Sequence, residues 1–237
     1  MNISRKKGPL YLQIRNVIKD RILHGVYPIG ENIPSEIQLE EEFDVSKITV
    51  RNAIKELVQE GYLEKKSGKG TKVIRNTSAS KLSKGKRFTE VLVEKGHRIK
   101  KKVLKSEIVQ NEIGSEPHRL FGKECVRVER LYYLDNTPYI HFTHFLSIEL
   151  ADFDEADLND QSLYELLAEH ELVLDKFRDE FAVCQSPTHI AALLEIVVDT
   201  PLLKRLRYSM DEDGEVTEFS EGYYNTNLQL YVVNYDA

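Results

Sequence analysis

The amphipathic pattern between residues 46 and 61 is the feature of this sequence that most restricts its fold. Apolar side chains recur there at three- and four-residue spacing, which predicts a helix with one buried side. Ser46 is placed to cap this helix, Val45 and Val50 are spaced as a hydrophobic staple, and Gly61 ends it. Its predicted apolar stripe consists of Val50, Ala53, Ile54, Leu57 and Val58. A single stripe must pack against neighbouring elements, so the pattern predicts a small domain around this helix.

The flanking sequence supplies the neighbours of that helix. A first helix is predicted between Pro9, which suits a helix start, and Gly25, which suits its end. A short second helix opens with a capping box formed by Ser35 and Gln38. After Gly61, two short β-type runs surround a glycine-rich tip and predict a hairpin. The order is therefore three helices followed by a hairpin.

Charge is distributed unevenly along the 237 residues. Residues 1–75 contain 14 Lys and Arg against 10 Asp and Glu, a net charge of +4, whereas the rest carries 19 against 29, a net charge of −10. Residues 76–87 are small, polar and basic and are predicted to form a linker. We therefore predict a basic domain at 1–75, a basic linker at 76–87 and an acidic domain at 88–237, an arrangement that suits a phosphate-facing module joined to one that need not touch nucleic acid.

The region after the linker alternates between β-type runs and short helical patterns. Helices are predicted near 88–95, 162–169 and 187–196. Strands are predicted near 103–109, 126–134, 139–146, 172–184, 202–210, 215–224 and 228–235. The simplest packing of this order is an α+β fold, with a mostly antiparallel sheet and helices on one of its faces.

Residues at the start of the third helix have the chemistry of DNA recognition. Ser46, Lys47 and Thr49 lie at a helix N-terminus, where backbone N–H groups and the helix dipole favour phosphate. Arg51, one turn later, has the planar fork that reads guanine, and Ile48 could contact a thymine methyl group in the major groove. The alternative is an ordinary small domain whose Lys and Arg side chains are merely solvated.

Residues 9–75 resemble the DNA-binding domain of the GntR family of bacterial regulators, a winged helix-turn-helix. The resemblance is carried by Pro9-Leu10-Tyr11, Ile33-Pro34-Ser35-Glu36, Val45-Ser46-Lys47-Ile48-Thr49-Val50-Arg51 and Gly68-Lys69-Gly70-Thr71, among other matches. It implies that the second and third helices contact the operator and that the hairpin tip enters the minor groove. The predicted DNA-binding set is Ser35, Glu36, Ser46, Lys47, Ile48, Thr49, Arg51, Gly68, Lys69 and Gly70.

The sequence departs from that family at two positions. Lys47 stands where arginine is usual, and Ile37 stands where many relatives carry a polar or basic residue. Because a lysine lacks the planar fork of arginine, the operator is expected to differ from the commonest half-site of the family.

The remaining chain, from about residue 82, is similar to the effector-binding domain of the HutC-like branch of that family, called UTRA, whose fold resembles chorismate lyase. The matching stretches include Phe88-Thr89-Glu90, Val128-Glu129-Arg130-Leu131, Ser162-Leu163-Tyr164-Glu165-Leu166-Leu167, Glu218-Phe219-Ser220 and Tyr223-Tyr224. In such relatives the pocket often takes a phosphorylated or otherwise anionic molecule. The resemblance implies that Arg130 and Ser162 hold the anionic end, with Thr89, Tyr164, Glu218 and Tyr224 around the polar remainder.

His141 is a further candidate for lining this pocket. Each of these residues also has a structural alternative, because a strand arginine can sit in a salt bridge, a serine can cap a helix and a tyrosine can simply pack. Tyr132 replaces a second arginine that is common in relatives, and Asn225 and Asn227 replace a frequent Arg and Asp. A neutral or differently charged effector therefore stays open.

The resemblance implies a cytoplasmic, homodimeric transcription repressor that binds double-stranded operator DNA under the control of a small effector, with a sugar phosphate or similar metabolite favoured. No cofactor or metal is expected: His141 and His144 are three apart, which on a strand points their rings to opposite faces, and Cys125 and Cys184 have no metal-ligand spacing. No apolar run reaches the roughly 18 residues of a spanning helix, so no membrane partner is expected. The alternatives are a constitutive DNA-binding dimer and a lyase-like enzyme, although no catalytic arrangement stands out.

Overall fold

The computed structural model describes residues 8–76, 88–150, 158–159, 162–170, 172 and 174–232. Contacts divide these residues into an N-terminal unit that ends at Ile99 and a C-terminal unit, Lys100–Val232. The predicted linker lies outside the described residues from residue 77 onward. The domain boundaries at residues 75 and 88 therefore stay predictions.

The N-terminal unit contains the three helices and the hairpin that the sequence predicts. They are α1 (Leu10–Leu23), α2 (Glu36–Phe43), α3 (Lys47–Gln59), β1 (Leu63–Lys66) and β2 (Gly70–Val73), followed by α4 (Phe88–Glu94). β1 and β2 pair antiparallel with Lys66 opposite Gly70. This order is that of a winged helix-turn-helix.

A single hydrophobic core holds the helices of this unit together. Its fully buried side chains come from all three helices and include Ile14, Ile18, Leu39, Ala53 and Leu57. Val45 packs against the same core beside buried Val50, as expected for a hydrophobic staple. Val58 was predicted in the apolar stripe but is 37% exposed, because it lies at the margin of the buried side of α3.

The C-terminal unit is an α+β domain, as predicted. Its elements are β3 (Ile99–Gln110), α5 (Glu116–Phe121), β4 (Glu124–Leu134), β5 (Thr137–Leu146), a 3-10 turn (Ile148–Leu150), α6 (Leu163–Glu169), β6 (Lys176–Gln185), α7 (Thr188–Leu194), β7 (Pro201–Met210) and β8 (Val216–Tyr224). α5 was not predicted; it begins at Ser115, which caps it, and is only six residues long. The strand predicted at 228–235 is wrong over 228–232, where the chain forms a turn and an irregular segment.

The six strands form one sheet in the order β3-β4-β5-β8-β7-β6, and the pairs from β4 to β6 are antiparallel. Side chains of directly opposed residues point to the same face. One row across the sheet contains Arg130, Phe142, Gly222, Arg205 and Phe181, and we call the face to which this row points the Arg130 face. The opposite face, which contains Leu131, His141, Tyr223 and Lys204, is the His141 face.

Helices cover both faces of the sheet, which corrects the expectation of helices on one face. On the Arg130 face, Leu163 and Leu167 of α6 pack with Val128 and Leu146. On the His141 face, apolar residues of α7 pack in a cluster that contains Ile190, Leu194, Leu131 and Leu202. Both faces carry apolar side chains at alternate strand positions, so each face needs its own cover. None of the described helices is long and apolar enough to cross a membrane.

Gly25 allows a close approach between the end of α1 and the segment after α4. Its φ is +74°, and a Cβ atom there would lie 2.8 Å from the carbonyl oxygen of His97. The same segment is tied down by the Ile99 N–H, which donates to the carbonyl oxygen of His24 at 2.9 Å. The carbonyl oxygen therefore has little freedom to withdraw from an added methyl group.

We predict that Gly25→Ala destabilises the protein more than Gly96→Ala. Gly96 also has a positive φ, +91°, but no atom lies within 4 Å of the place that an added methyl group would take. Gly96→Ala therefore lowers the free energy of unfolding only by the cost of a left-handed backbone at alanine, about 1–2 kcal/mol. Gly25→Ala adds the clash to a similar backbone cost. Urea unfolding followed by circular dichroism measures both; equal losses would show that the His97 segment gives way freely.

Candidate functional site

The turn between α2 and α3 is built by two serines. Ser35 caps α2: its Oγ accepts from the Gln38 N–H at 3.3 Å, while its own N–H donates to Gln38 Oε1 at 2.9 Å, which confirms the predicted capping box. Ser46 is the N-cap of α3, but its hydroxyl bonds to the Thr49 hydroxyl at 2.8 Å rather than to a backbone N–H. The first turn of α3 thus keeps backbone donors available for a phosphate.

The predicted recognition residues of α3 lie on its exposed side. Lys47 and Arg51 are exposed, and Ile48 is 62% exposed, although it is apolar. Val50 and Leu57 point into the core from the opposite side. An exposed isoleucine between cations suits a groove edge that offers a thymine methyl group as well as phosphates.

Glu36 joins the recognition helix to the wing. Its carboxylate accepts from Arg51 Nε at 2.7 Å and from Lys65 Nζ on β1. These hydrogen bonds lower the pKa of Glu36 below its ordinary value, and the bond from Lys65 has the larger effect. Although its Nε is engaged by Glu36, the Arg51 side chain stays 52% exposed. This geometry favours an orienting role for Glu36 over a direct contact with phosphate.

The wing tip is supported by Asn32, a residue that sequence reasoning missed. Asn32 Nδ2 donates to the Lys69 carbonyl oxygen at 3.0 Å. Gly68 and Gly70 have φ of +72° and +92°, and a Cβ atom on Gly70 would lie 2.9 Å from Asn32 Nδ2. Asn32 also forms an isolated bridge with Lys72 of β2. No local sequence signal marks this contact, because it joins residues 37 positions apart.

In the C-terminal unit, three of the predicted effector residues share one face of the sheet. Arg130 on β4 and Glu218 and Tyr224 on β8 are at most 1% exposed and all belong to the Arg130 face. Arg130 Nε and Nη2 have no hydrogen-bond partner among the described residues. A buried guanidinium with unused donors is costly unless an acceptor binds to it.

His144 and Ser209 complete the surroundings of Glu218. His144 Nδ1 lies 2.8 Å from Glu218 Oε1, and the Ser209 hydroxyl donates to the other carboxylate oxygen. Burial opposes ionisation, but hydrogen bonds from His144 and Ser209 hold the pKa of Glu218 below its ordinary value. The carboxylate is therefore charged near neutral pH. Sequence reasoning considered His144 only as a metal ligand, yet strand alternation could have placed it beside Glu218.

The helix that covers this face, α6, carries Tyr164. The Tyr164 ring lies 5.6 Å from the Phe177 ring, and Tyr164 helps raise the pKa of Arg207, against the effect of burial. Ser162 is the N-cap of α6, without a side-chain capping bond. The backbone of Thr89 is in α4, but its side chain lies outside the described residues. Contact of these residues with an effector stays a prediction.

His141 lies on the other face, and its expected place in the same pocket is corrected. It stands opposite Leu131 and Tyr223, one residue out of phase with the Phe142 row that contains Arg130. Its Nε2 is 3.8 Å from Glu129 Oε2. Burial lowers the pKa of His141 to about 4, although Glu129 opposes this shift. The ring is therefore neutral at pH 7, separated from Arg130 by the sheet itself.

Comparison with known proteins defines the family. The model of the UTRA domain matches residues 94–228, and the model for bacterial regulatory proteins of the gntR family matches residues 10–73. The chain belongs to the GntR family. As a GntR-family protein with a UTRA domain it is a DNA-binding transcription regulator rather than an enzyme.

Individual GntR relatives cover nearly the whole chain. It is 30% identical over 223 residues to the "Probable fructoselysine utilization operon transcriptional repressor" of Escherichia coli (strain K12), covering 92% of this chain and 91% of the relative. It is 26% identical to the "Mannosyl-D-glycerate transport/metabolism system repressor MngR" of the same organism, covering 92% of each. The crystal structure of PhnF from Mycobacterium smegmatis, 22% identical, superimposes with a TM-score of 0.52 over 90% of this chain and 95% of that one. This likeness confirms the GntR-type fold.

We predict that Arg51→Ala weakens operator binding by about 1–3 kcal/mol, a factor of about 5–150, and relaxes discrimination at one base pair. The loss of its exposed ion pair with Glu36 contributes little to stability. Fluorescence anisotropy with a duplex selected in vitro by the intact chain, and with random DNA, measures both effects. Arg119→Ala, an exposed arginine on α5, removes the same charge and is expected to keep wild-type binding. Unchanged discrimination in Arg51→Ala would remove Arg51 from the base-reading set.

We also predict a pH dependence of stability from His141. Its pKa is about 4 in the folded protein and 6.5 when unperturbed, so below pH 6.5 the unfolded chain takes up a proton that the folded chain refuses. Stability is therefore lost as the pH falls, by ~2 kcal/mol between about pH 7.5 and pH 5. Urea unfolding of His141→Asn should show a loss smaller by that amount, whereas His118→Asn, at a half-exposed site on α5, should keep the wild-type loss. A wild-type loss in His141→Asn would contradict the assignment.

Proposed function

We propose that this GntR-family regulator is a homodimeric repressor that binds two operator half-sites and is controlled by a sugar-derived metabolite carrying an acidic group. The named relatives concern fructoselysine and mannosyl-D-glycerate, and these names support a sugar-derived effector. The proposal rests chiefly on the buried donors of Arg130, which have no acceptor among the described residues, and on the charged carboxylate of Glu218, which is buried on the same face of the sheet. Donors for an acidic group and an acceptor for hydroxyl groups are the combination that a sugar acid or sugar phosphate requires.

Within this proposal the DNA-binding residues have distinct tasks. Ser46, Lys47 and Thr49 bind phosphate at the start of α3, while Ile48 and Arg51 read base edges. Ser35 contacts the backbone from the start of α2, and Glu36 orients Arg51. Lys69, between Gly68 and Gly70, reaches the minor groove from the wing. The exposure of α3 and of the wing tip supports this assignment.

The effector controls DNA binding by a population shift. A dimer presents two recognition helices to half-sites about one helical turn apart, and a ligand that prefers one arrangement of the two DNA-binding domains changes their fit. A coupling of about 1–3 kcal/mol changes operator affinity about 5- to 150-fold. The change would travel through the basic linker at 81–87, which lies outside the described residues.

We expect a screen of sugars, sugar acids, sugar phosphates and amino-acid conjugates of sugars to yield acidic ligands that raise the Tm of the intact chain. Each such ligand should lower operator affinity about 5- to 150-fold in anisotropy titrations. Arg130→Gln should bind the operator with wild-type affinity and lose the response to ligand, because Arg130 belongs to the effector site alone. A chain that binds the operator identically with every stabilising ligand would instead be a constitutive DNA-binding dimer.

A further inference from the structure

A second buried arginine lies on the same face of the sheet as Arg130, three strands away. Arg205 on β7 belongs to the same cross-strand row as Arg130, with Phe142 and Gly222 between them. Arg205 is 7% exposed and Arg130 is 1% exposed. Two cations in one buried row need a reason, because isolated buried charges are strongly disfavoured.

Gly222 provides the space for the Phe142 ring, which lies beside the guanidinium of Arg205. A Cβ atom on Gly222 would lie 2.5 Å from Cε1 of Phe142, so only glycine fits there. The guanidinium carbon of Arg205 lies 5.3 Å from the centre of the Phe142 ring and 5.5 Å from that of Tyr224. The guanidinium thus lies beside two aromatic rings, one from β5 and one from β8.

Among the described residues, neither guanidinium forms an ion pair with a carboxylate, although the charge of Asp179 helps to raise the pKa of Arg205. Asp179 is held by Arg207 through two hydrogen bonds of 2.7 and 2.6 Å, and Glu218 is held by His144 and Ser209. Arg205 donates from Nη1 to the Tyr231 hydroxyl at 3.4 Å, whereas its Nε and two donors of Arg130 have no hydrogen-bond partner in the described part of the chain.

Both guanidiniums act on the same third group. Burial is the main cause of the lowered pKa of His144. The charges of Arg130 and Arg205 lower this pKa further, while Glu218 opposes the shift. Both arginines lie on the same face of the sheet as His144, so their charges act on one buried region. Among the described residues, neither guanidinium in that region has its hydrogen-bond donors fully used.

We propose that Arg205 and Arg130 together bind one oxyanion of a small acidic metabolite, each donating hydrogen bonds to it. The oxyanion is a phosphoryl or carboxylate group, because both accept from planar guanidinium forks. The proposal rests on the proposed effector site and adds Arg205 as its second anion-binding residue. His144 Nε2 has no hydrogen-bond partner among the described residues and remains available on the same face for a hydroxyl group of the same ligand.

The test uses the intact chain with three probes at equal ionic strength: inorganic phosphate, gluconate and chloride. We expect phosphate or gluconate to raise Tm with a saturating dependence on concentration, and chloride to serve as the screening control. Arg205→Gln and Arg130→Gln should each weaken the apparent Kd for that probe about 10-fold or more. A response to phosphate alone identifies a phosphoryl site, and a response to gluconate alone identifies a carboxylate site.

Two further variants make the result specific. Arg178→Gln removes an exposed arginine on the His141 face, stacked on Tyr208, and should keep the wild-type response. Arg205→Lys keeps the charge but loses the fork, and should bind more weakly than wild type if Arg205→Gln is too unstable to measure. Wild-type binding by both Arg205 variants would overturn the role of Arg205. A wild-type chain that responds to neither anion would overturn the ligand class.

The outcome is separable from that of the proposed function. If a neutral ligand from the screen changes operator affinity, effector control stands and the double-arginine site fails. If an anion binds through Arg205 and Arg130 but leaves operator affinity unchanged, the site stands and its control of DNA binding fails.

Discussion

The interior of the C-terminal domain depends on one fully buried carboxylate, Glu218. Removing a carboxylate from water costs several kcal/mol unless close hydrogen bonds replace the lost hydration. His144 on β5 and Ser209 on β7 supply those bonds from the two strands that flank β8. A slip of one residue in either pairing would turn one partner to the other face. The carboxylate thereby contributes to the register of three central strands, and it does so without neutralising Arg130 or Arg205.

The exposed carboxylate of Glu36 has a different physical meaning. An exposed ion pair contributes only about 0–1 kcal/mol, so its bonds to Arg51 and Lys65 are not what holds the DNA-binding domain together. That task belongs to the core around Ile18 and Leu57. In the proposed DNA-binding surface, Glu36 instead orients Arg51. Energetic and functional importance would then separate: the buried core stabilises the domain, and a weak surface ion pair orients a side chain proposed to read bases.

Side chains alternate between the two faces of the sheet along each strand, and this alternation explains which predictions about the effector site were right and which were wrong. Arg130, Glu218 and Tyr224 were predicted together, and the sheet places them on one face. His141 was predicted with them but belongs to the other face, although the spacing that separates it from His144 was already visible. Arg205 and Gly222 were missed because their meaning arises only when β7 and β8 are set beside β5. The register between strands, rather than any residue type, decides which side chains meet.

The sequence by itself determined the elements whose signals are local. The capping box of Ser35 and Gln38, the buried side of α3 and the glycine-rich wing all depend on residues a few positions apart, whose conformational preferences act before any distant contact forms. Tertiary structure alone decided what depends on distant pairing: helices on both faces of the sheet, the support of the wing by Asn32, and the placement of Arg130 and Arg205 on one face with His144. Such contacts join segments tens of residues apart, and the order of strands that brings them together reflects the packing of the whole domain.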